Sequence, residues 1–149
     1  MGAARKTGIR EAKYEIIITS DADATYPNDR MPEMVDRLAS HDMVVGSRTG
    51  ANVAVSWIRA FPKWAIRRLA CYLTRTEIPD LNSGLRTFRK SKALRYFYLL
   101  PDSHSWEATI TLAYLSNHDD VDFLPVDYYR RKGVSTFHWM YDTYNYISL

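Results

Sequence analysis

The sequence predicts an α/β fold in which a mostly parallel sheet is flanked by helices. Short apolar runs rich in β-branched residues, typical of strands buried on both faces, lie at 15–20 and 42–48. Segments with helical spacing of apolar residues alternate with the predicted strands, as in sheets covered by helices. Because neither an internal repeat nor a low-complexity linker interrupts the 149 residues, we expect a single domain over 1–149.

Each predicted element of the N-terminal half has a local signal. Residues 3–13 have the composition of a short basic helix, and the strand over 15–20 follows it directly. Pro27 precedes a helix over about 30–40, in which methionine, valine and leucine recur at helical spacing. The second strand, 42–48, ends in a Gly-Ser-Arg turn.

The C-terminal half is predicted to contain longer helices and less regular strands. Apolar residues recur at helical spacing from about 56 to 75, and Pro79 lies in the loop that ends this helix. The remaining predicted elements are, in order, a strand over 85–89, helices over 91–100 and about 105–117, a strand over 121–129 and an amphipathic C-terminal helix over 136–149.

Composition excludes several classes of protein. A hydrophobic fraction of 46% and an aromatic fraction of 13% are typical of globular chains, not of disordered ones. The single cysteine excludes an internal disulfide, and no run reaches the roughly 18 apolar residues that span a bilayer. Since no apolar core follows the basic N-terminus, no signal peptide is predicted and we expect a cytoplasmic protein. The net charge of +3 permits contact with phosphates or an anionic membrane.

Two carboxylates, Asp21 and Asp23, directly follow the first predicted strand. In open α/β sheets, ligands bind at the carboxyl ends of the strands. Paired carboxylates at that edge suit a hard divalent cation, Mg²⁺ or Mn²⁺, held against the phosphates of a substrate. The alternative is a solvated acidic turn with no ligand.

Four segments together occur in the same order in one known family. They are Asp21 to Pro27, Val45 to Arg48, Ile78 to Arg86 and Tyr128 to Ser135. On these motifs the chain resembles family 2 glycosyltransferases, which have the Rossmann-like GT-A fold. It is most similar to the branch that includes dolichol-phosphate mannose synthase and the bacterial polyprenyl-phosphate sugar transferases, and the resemblance extends over essentially the whole chain.

The resemblance also implies an N-terminally incomplete domain. Family members have a strand–helix–strand section, which holds the nucleoside, before the segment that matches Gly2 to Ile9. Many of them continue into membrane helices after the segment that corresponds to 136–149. We therefore expect a partial catalytic domain whose incomplete sheet is covered by a second copy or by a partner chain.

The activity that the resemblance implies is sugar transfer with inversion at the anomeric carbon. The donor would be a UDP- or GDP-sugar and the acceptor a polyprenyl phosphate (dolichyl or undecaprenyl), at the cytoplasmic face of the membrane. Asp21 and Asp23 would hold Mg²⁺ or Mn²⁺, and Thr25 would be either a further polar ligand or a turn residue. Because the second pKa of a phosphate monoester is about 6, the acceptor attacks without a protein base; Glu107 is the candidate if one is needed.

Positioning and charge balance would then carry catalysis, which predicts basic residues facing the metal. Arg48 closes the turn after the second strand, and Arg59 and Lys63 lie on one face of the long helix. Arg131 and Lys132 lie in the segment that forms a flap over phosphates in relatives. For all five, the alternative is a solvated basic surface.

The loop from Asp80 to Arg86 lies under the sugar and the acceptor phosphate in relatives. By that resemblance, Asp80 would bind sugar hydroxyls and Arg86 would bind a phosphate with its planar guanidinium. Ser83 and Gly84 would line the phosphate site, where glycine permits close backbone approach. The alternative is loop capping together with a surface ion pair.

Two other functions are compatible with the residues. A catalytically incomplete family member would act as a membrane- or partner-binding module, and the aromatic-rich segment 136–149 would either lie on an anionic bilayer or pack on its own sheet. A basic nucleic-acid-binding module is disfavoured by Asp21 and Asp23, and we expect no nucleic-acid partner. The four histidines have no metal-ligand spacing.

Overall fold

The computed structural model describes residues 2–51, 60–103 and 105–129. Its helices and strands alternate along the chain as the sequence predicts. In order, they are α1 (Gly2–Glu11), β1 (Ile16–Thr19), a 3₁₀ turn (Asn28–Arg30), α2 (Met31–Arg37), β2 (Met43–Ser47), α3 (Ala60–Thr74), β3 (Arg86–Arg89), α4 (Lys90–Arg95), α5 (Trp106–Ser116) and β4 (Val121–Pro125).

The four described strands form one mixed sheet in the order β1-β3-β2-β4. Strand β3 pairs antiparallel with both β1 and β2, whereas β2 and β4 pair in parallel. Consequently β1, β2 and β4 all run in one direction and β3 runs against them. The predicted α/β class is confirmed, and the expectation of a mostly parallel sheet is corrected at β3, a central strand with antiparallel neighbours on both sides.

This strand arrangement brings the candidate residues to one edge of the sheet. The carboxyl ends of β1, β2 and β4 meet there, and so does the start of β3, because that strand runs in the opposite direction. Arg86, the first residue of β3, pairs with Thr19 of β1 and with Val45 of β2. We call this border the carboxyl edge, and the segment 80–85 that enters β3 there the Asp80 loop.

The core lies on both faces of β2, whose five residues are all buried. Met43 and Val45 pack with Trp106 and Ile110 on one face. Val44 packs with the other cluster, which contains Tyr26, Met34, Leu38, Leu85, Leu124 and Val126. Continuous burial of this kind explains why β2 is an uninterrupted apolar run rather than an alternating one.

Several elements end earlier than predicted. Strand β4 ends at Pro125, which has no N–H to donate to a sheet ladder. Helix α4 ends at Arg95, after which hydrogen bonds to the third residue back replace the α-helical pattern. The predicted C-terminal helix over 136–149 and the first residues of the predicted 56–75 helix lie outside the described residues. Within the described ranges, no helix combines the length and apolar character needed to cross a bilayer.

Candidate active site at the carboxyl edge

The acidic turn after β1 places both predicted carboxylates at the carboxyl edge. Asp23 Oδ1 accepts a 2.6 Å hydrogen bond from Thr25 Oγ1 and a 3.3 Å bond from the Thr25 amide. Ala24 lies between them with a φ of 58°, a left-handed conformation that turns the chain sharply. Thr25 itself is fully buried, so the structure gives it a supporting role for Asp23 and does not support its prediction as a direct metal ligand.

The carboxylate of Asp21 packs directly on the Asp80 loop. A Cβ atom placed on Gly84 would lie only 2.5 Å from Asp21 Oδ2 and 2.6 Å from its Cγ. Only glycine allows this close approach between the loop and the acidic turn. Gly84 is therefore needed for the contact with Asp21, and its predicted contact with a phosphate stays a prediction.

Gly84→Ala is expected to lower the free energy of unfolding by about 1–3 kcal/mol, as overpacking typically does. The new methyl group must displace Asp21, which is only 26% exposed. The matched control is Gly8→Ala, because nothing lies within 4 Å of a Cβ at that helical position, and there a gain of up to about 1 kcal/mol is expected. Urea denaturation of the three proteins measures both changes, and equal stabilities would contradict the Gly84 packing.

Tyr26 holds the Asp80 loop in place through its hydroxyl group. Its hydroxyl oxygen accepts a 2.8 Å bond from the Gly84 amide and lies 3.3 Å from Ser83 Oγ, which itself donates a 2.5 Å bond to the Gly46 carbonyl oxygen. Burial raises the pKa of Tyr26, which therefore stays protonated at neutral pH. Since Ser83 is fully buried, the structure does not support its predicted contact with a phosphate.

Arg48 and Asp80 form a bidentate ion pair across the carboxyl edge. Arg48 Nε donates to Asp80 Oδ2 at 2.6 Å and Nη2 donates to Oδ1 at 2.8 Å, while the Arg48 amide adds a bond of 3.1 Å. Burial would raise the pKa of Asp80, but the hydrogen bond and charge of Arg48 outweigh it and hold that pKa below its usual range. The two predicted site residues are thus brought together, and Asp80 accepts three hydrogen bonds from Arg48.

Arg86 is fully buried beneath the Asp80 loop. It donates to the carbonyl oxygens of Ser83 at 2.8 Å and Leu81 at 3.0 Å, and to Thr111 Oγ1. Burial lowers the pKa of Arg86 to about 10, so the guanidinium stays charged at neutral pH. Because its donors face the protein and set the path of the loop, this geometry gives no support to the predicted contact of Arg86 with a phosphate, which stays a prediction.

Arg5 of α1 joins the acidic turn to α5. Its Nη2 lies 2.9 Å from Asp21 Oδ1, and its Nη1 forms an ion pair with Glu107. Burial lowers the pKa of Arg5, an effect that the Asp21 carboxylate opposes. Because Glu107 is buried and already paired with the guanidinium of Arg5, it is a poor proton acceptor, and the geometry gives no support to a role as a base.

The acidic turn fits a cation that arrives with its own oxygen ligands. Asp21 and Asp23 offer only carboxylate oxygens, which suit Mg²⁺ or Mn²⁺. Across 2–51, 60–103 and 105–129, no three His, Cys, Asp or Glu side chains form a metal-binding group. Mg²⁺ is commonly bound by one or two carboxylates together with substrate phosphates, so a cation held by these two aspartates would need further oxygen ligands from a substrate.

The remaining predicted phosphate-binding residues cannot be placed. Arg59, Arg131 and Lys132 lie outside the described residues, and for Lys63 the structure describes the backbone within α3 only. Their predicted contacts with donor or acceptor phosphates stay predictions.

A comparison with known protein families identifies the family to which this chain belongs. The sequence profile of Glycosyl transferase family 2 matches residues 1–97, which contain the acidic turn, Arg48, the Asp80 loop and Arg86. The chain belongs to glycosyltransferase family 2.

Two curated relatives match this glycosyltransferase family member over a similar length. A dolichyl-phosphate hexose transferase of Haloferax volcanii is 29% identical over 92 residues, which are 60% of this chain and 40% of the relative. An undecaprenyl-phosphate mannosyltransferase of Micrococcus luteus is 25% identical over 95 residues, which are 60% of this chain and 39% of the relative. The matched segment thus spans about two-fifths of each relative's length.

Two residues of this family 2 site were not predicted from the sequence. Tyr26 lies within the acidic motif, and an aromatic residue beside two carboxylates was the available signal for it. Arg5 had no local signal, because its partners follow β1 and begin α5, far along the chain. Both residues act through contacts that only the fold creates.

Proposed function

We propose that this chain provides the metal-assisted donor site of an inverting glycosyltransferase. Its donor would be a UDP- or GDP-sugar and its acceptor a polyprenyl phosphate. The observation that carries the proposal is the acidic turn at the carboxyl edge, where Asp21 lies against the glycine of the Asp80 loop and Asp23 is held by Thr25. Family membership supports the reaction type.

In this proposal, the residues of the chain bind and orient the reactants. Asp21 and Asp23 would hold Mg²⁺ or Mn²⁺, and through it the diphosphate of the donor. The bound cation supplies positive charge that offsets the charge developing on the leaving diphosphate. An acceptor phosphate oxygen forms the new bond to the anomeric carbon while the bond from that carbon to the nucleoside diphosphate breaks. No protein base is needed, since the acceptor is already ionised at neutral pH.

The polyprenyl phosphate acceptor is inferred from the relatives, whose names specify dolichyl phosphate and undecaprenyl phosphate. Such an acceptor lies in a membrane, and α3 presents a surface suited to an anionic one. Leu69, Tyr72 and Leu73 are 58%, 79% and 66% exposed, and arginines 67, 68 and 75 lie on the same helix or just after it. Aromatic and apolar side chains beside basic ones are typical of helices at membrane interfaces. We propose that the protein acts at the cytoplasmic face of the membrane.

A transfer assay tests the proposed function. Vesicles containing undecaprenyl or dolichyl phosphate are incubated with the protein, Mn²⁺ and radiolabelled GDP-mannose or UDP-glucose. The proposal predicts labelled lipid with at least one pair of substrates, and loss of product when the metal is chelated. Absence of product from the folded protein with every combination would contradict it.

The second candidate function is a non-catalytic membrane- or partner-binding module, which the exposed face of α3 favours. In a vesicle sedimentation assay, this function predicts binding to anionic vesicles without any sugar transfer. Leu73→Ser with Tyr72→Ser would then lower binding, because the apolar contact is removed. Sedimentation that is unaffected by this double variant would exclude α3 as the contact surface.

A further inference from the structure

We propose that Arg5 is an internal counter-ion of the acidic turn, which competes with the divalent cation for Asp21 and is retained by Glu107 when the cation binds. This inference rests on the metal-assisted donor site proposed above. It makes Arg5 a positioning residue whose role is to tune the affinity for the metal.

The geometry gives Arg5 two acidic partners, one for each terminal nitrogen. Its two terminal nitrogens reach different carboxylates, with Nη2 2.9 Å from Asp21 Oδ1 and Nη1 paired with Glu107. The guanidinium carbon also lies 5.2 Å from the centre of the Trp106 ring, within the range of a cation–π contact. The side chain is only 11% exposed, so it needs these partners to remain charged in place.

The two partners differ in what they can do at the carboxyl edge. Asp21 is 26% exposed and belongs to the acidic turn, whereas Glu107 is 8% exposed and belongs to the core-facing helix α5. A cation entering the turn would bind Asp21 and repel the guanidinium. Arg5 would then keep Glu107 and Trp106 as partners, and its charge would stay buried but compensated. The arrangement therefore lets Asp21 change partners without leaving a buried charge unpaired.

Three variants separate this role from simple stability. Glu107→Gln removes the charge that retains Arg5, so the guanidinium binds Asp21 more tightly and the affinity for Mn²⁺ should fall about tenfold. Arg5→Met combined with Glu107→Gln removes the competing cation and its partner together, so the affinity should rise about tenfold. Arg10→Met is the control. Arg10 lies on the same helix, over the Phe97 ring, and its replacement also removes one positive charge, but not one that pairs with the acidic turn.

Mn²⁺ is the probe, added alone and then together with UDP or GDP, whose phosphates can complete its coordination. The signal of free Mn²⁺ in electron paramagnetic resonance, corrected for the Mn²⁺ that the nucleotide binds, measures binding to the wild type, the three variants and Asp23→Asn. Thermal melts confirm that each protein is folded. If the double variant unfolds, Glu107→Gln is sufficient for the test, because glutamine keeps an oxygen that can accept a hydrogen bond from Arg5. Opposite shifts in affinity, with Arg10→Met unchanged, support the competition. Wild-type binding that is lost in Asp23→Asn but unaffected at Arg5 and Glu107 overturns the role of Arg5 only. No Mn²⁺ binding by the folded wild type, either alone or with UDP or GDP, overturns the metal site and this inference together.

Discussion

Arg48→Met is expected to lower the free energy of unfolding by about 3 kcal/mol, because it leaves the Asp80 carboxylate largely buried without its partner. Arg48 and Asp80 are 21% and 11% exposed, and three hydrogen bonds of 3.1 Å or less join them. Removing one member of such a pair typically costs 3–5 kcal/mol, and the residual exposure of both groups favours the lower end.

A double-mutant cycle tests whether this loss comes from the pair. Arg48→Met with Asp80→Leu should recover most of the stability, since an apolar replacement of both charges leaves no buried charge. Urea denaturation of the four proteins gives the coupling energy. A double variant that is as unstable as the sum of the single variants would show that the two side chains act independently.

The same pair makes stability depend on pH. Because the pKa of Asp80 is lower in the folded protein than in the unfolded chain, its stabilisation is present above the ordinary carboxylate pKa of about 3.9 and is lost as the pH falls through the lowered value. Asp80→Asn should therefore lose less stability than the wild type between pH 5 and pH 3, as measured by urea denaturation at each pH.

Arg86→Lys is the second substitution with a large expected effect, a loss of about 2–4 kcal/mol. The fully buried guanidinium of Arg86 donates hydrogen bonds to the carbonyl oxygens of Leu81 and Ser83 and to the hydroxyl oxygen of Thr111. A lysine ammonium is a single point of charge that cannot reach all three acceptors, so buried carbonyl oxygens would remain without donors.

Arg89→Lys is the matched control, because Arg89 lies on the same strand and donates to two carbonyl oxygens but is only half-buried. A smaller loss is expected there, since water can replace the missing donors. Chemical denaturation compares the two variants. If Arg86→Lys costs no more than Arg89→Lys, Arg86 does not hold the Asp80 loop as described.

Local patterns in the sequence were sufficient to predict the framework of the site. The apolar run before Asp21 predicted β1, and the proline and methionine spacing after it predicted α2. Family motifs located the acidic turn, Arg48 and the Asp80 loop, and the sheet topology brings all three to one edge.

What could not be predicted depends on contacts between distant segments. From the loop motif, Arg86 was predicted to bind a phosphate. In the fold it is fully buried and donates hydrogen bonds to Thr111 of α5 and to carbonyl oxygens of the loop. Asp80 and Arg48 were expected to bind ligands separately, but the fold pairs them. The reversed direction of β3 also escaped prediction, because a short strand carries the same pattern of side chains in either orientation.

The central claim is that the acidic turn forms a metal-dependent donor site. Its most direct test is a calorimetric titration of the protein with GDP-mannose or UDP-glucose in the presence and absence of Mn²⁺. The wild type is compared with Asp23→Asn, which keeps the oxygen that accepts the Thr25 hydrogen bonds and so should fold normally. We predict metal-dependent binding heat with one of the donors for the wild type, and a loss of at least about a hundredfold in affinity for the variant. Equal binding by the two folded proteins, or no binding by either, would contradict the account.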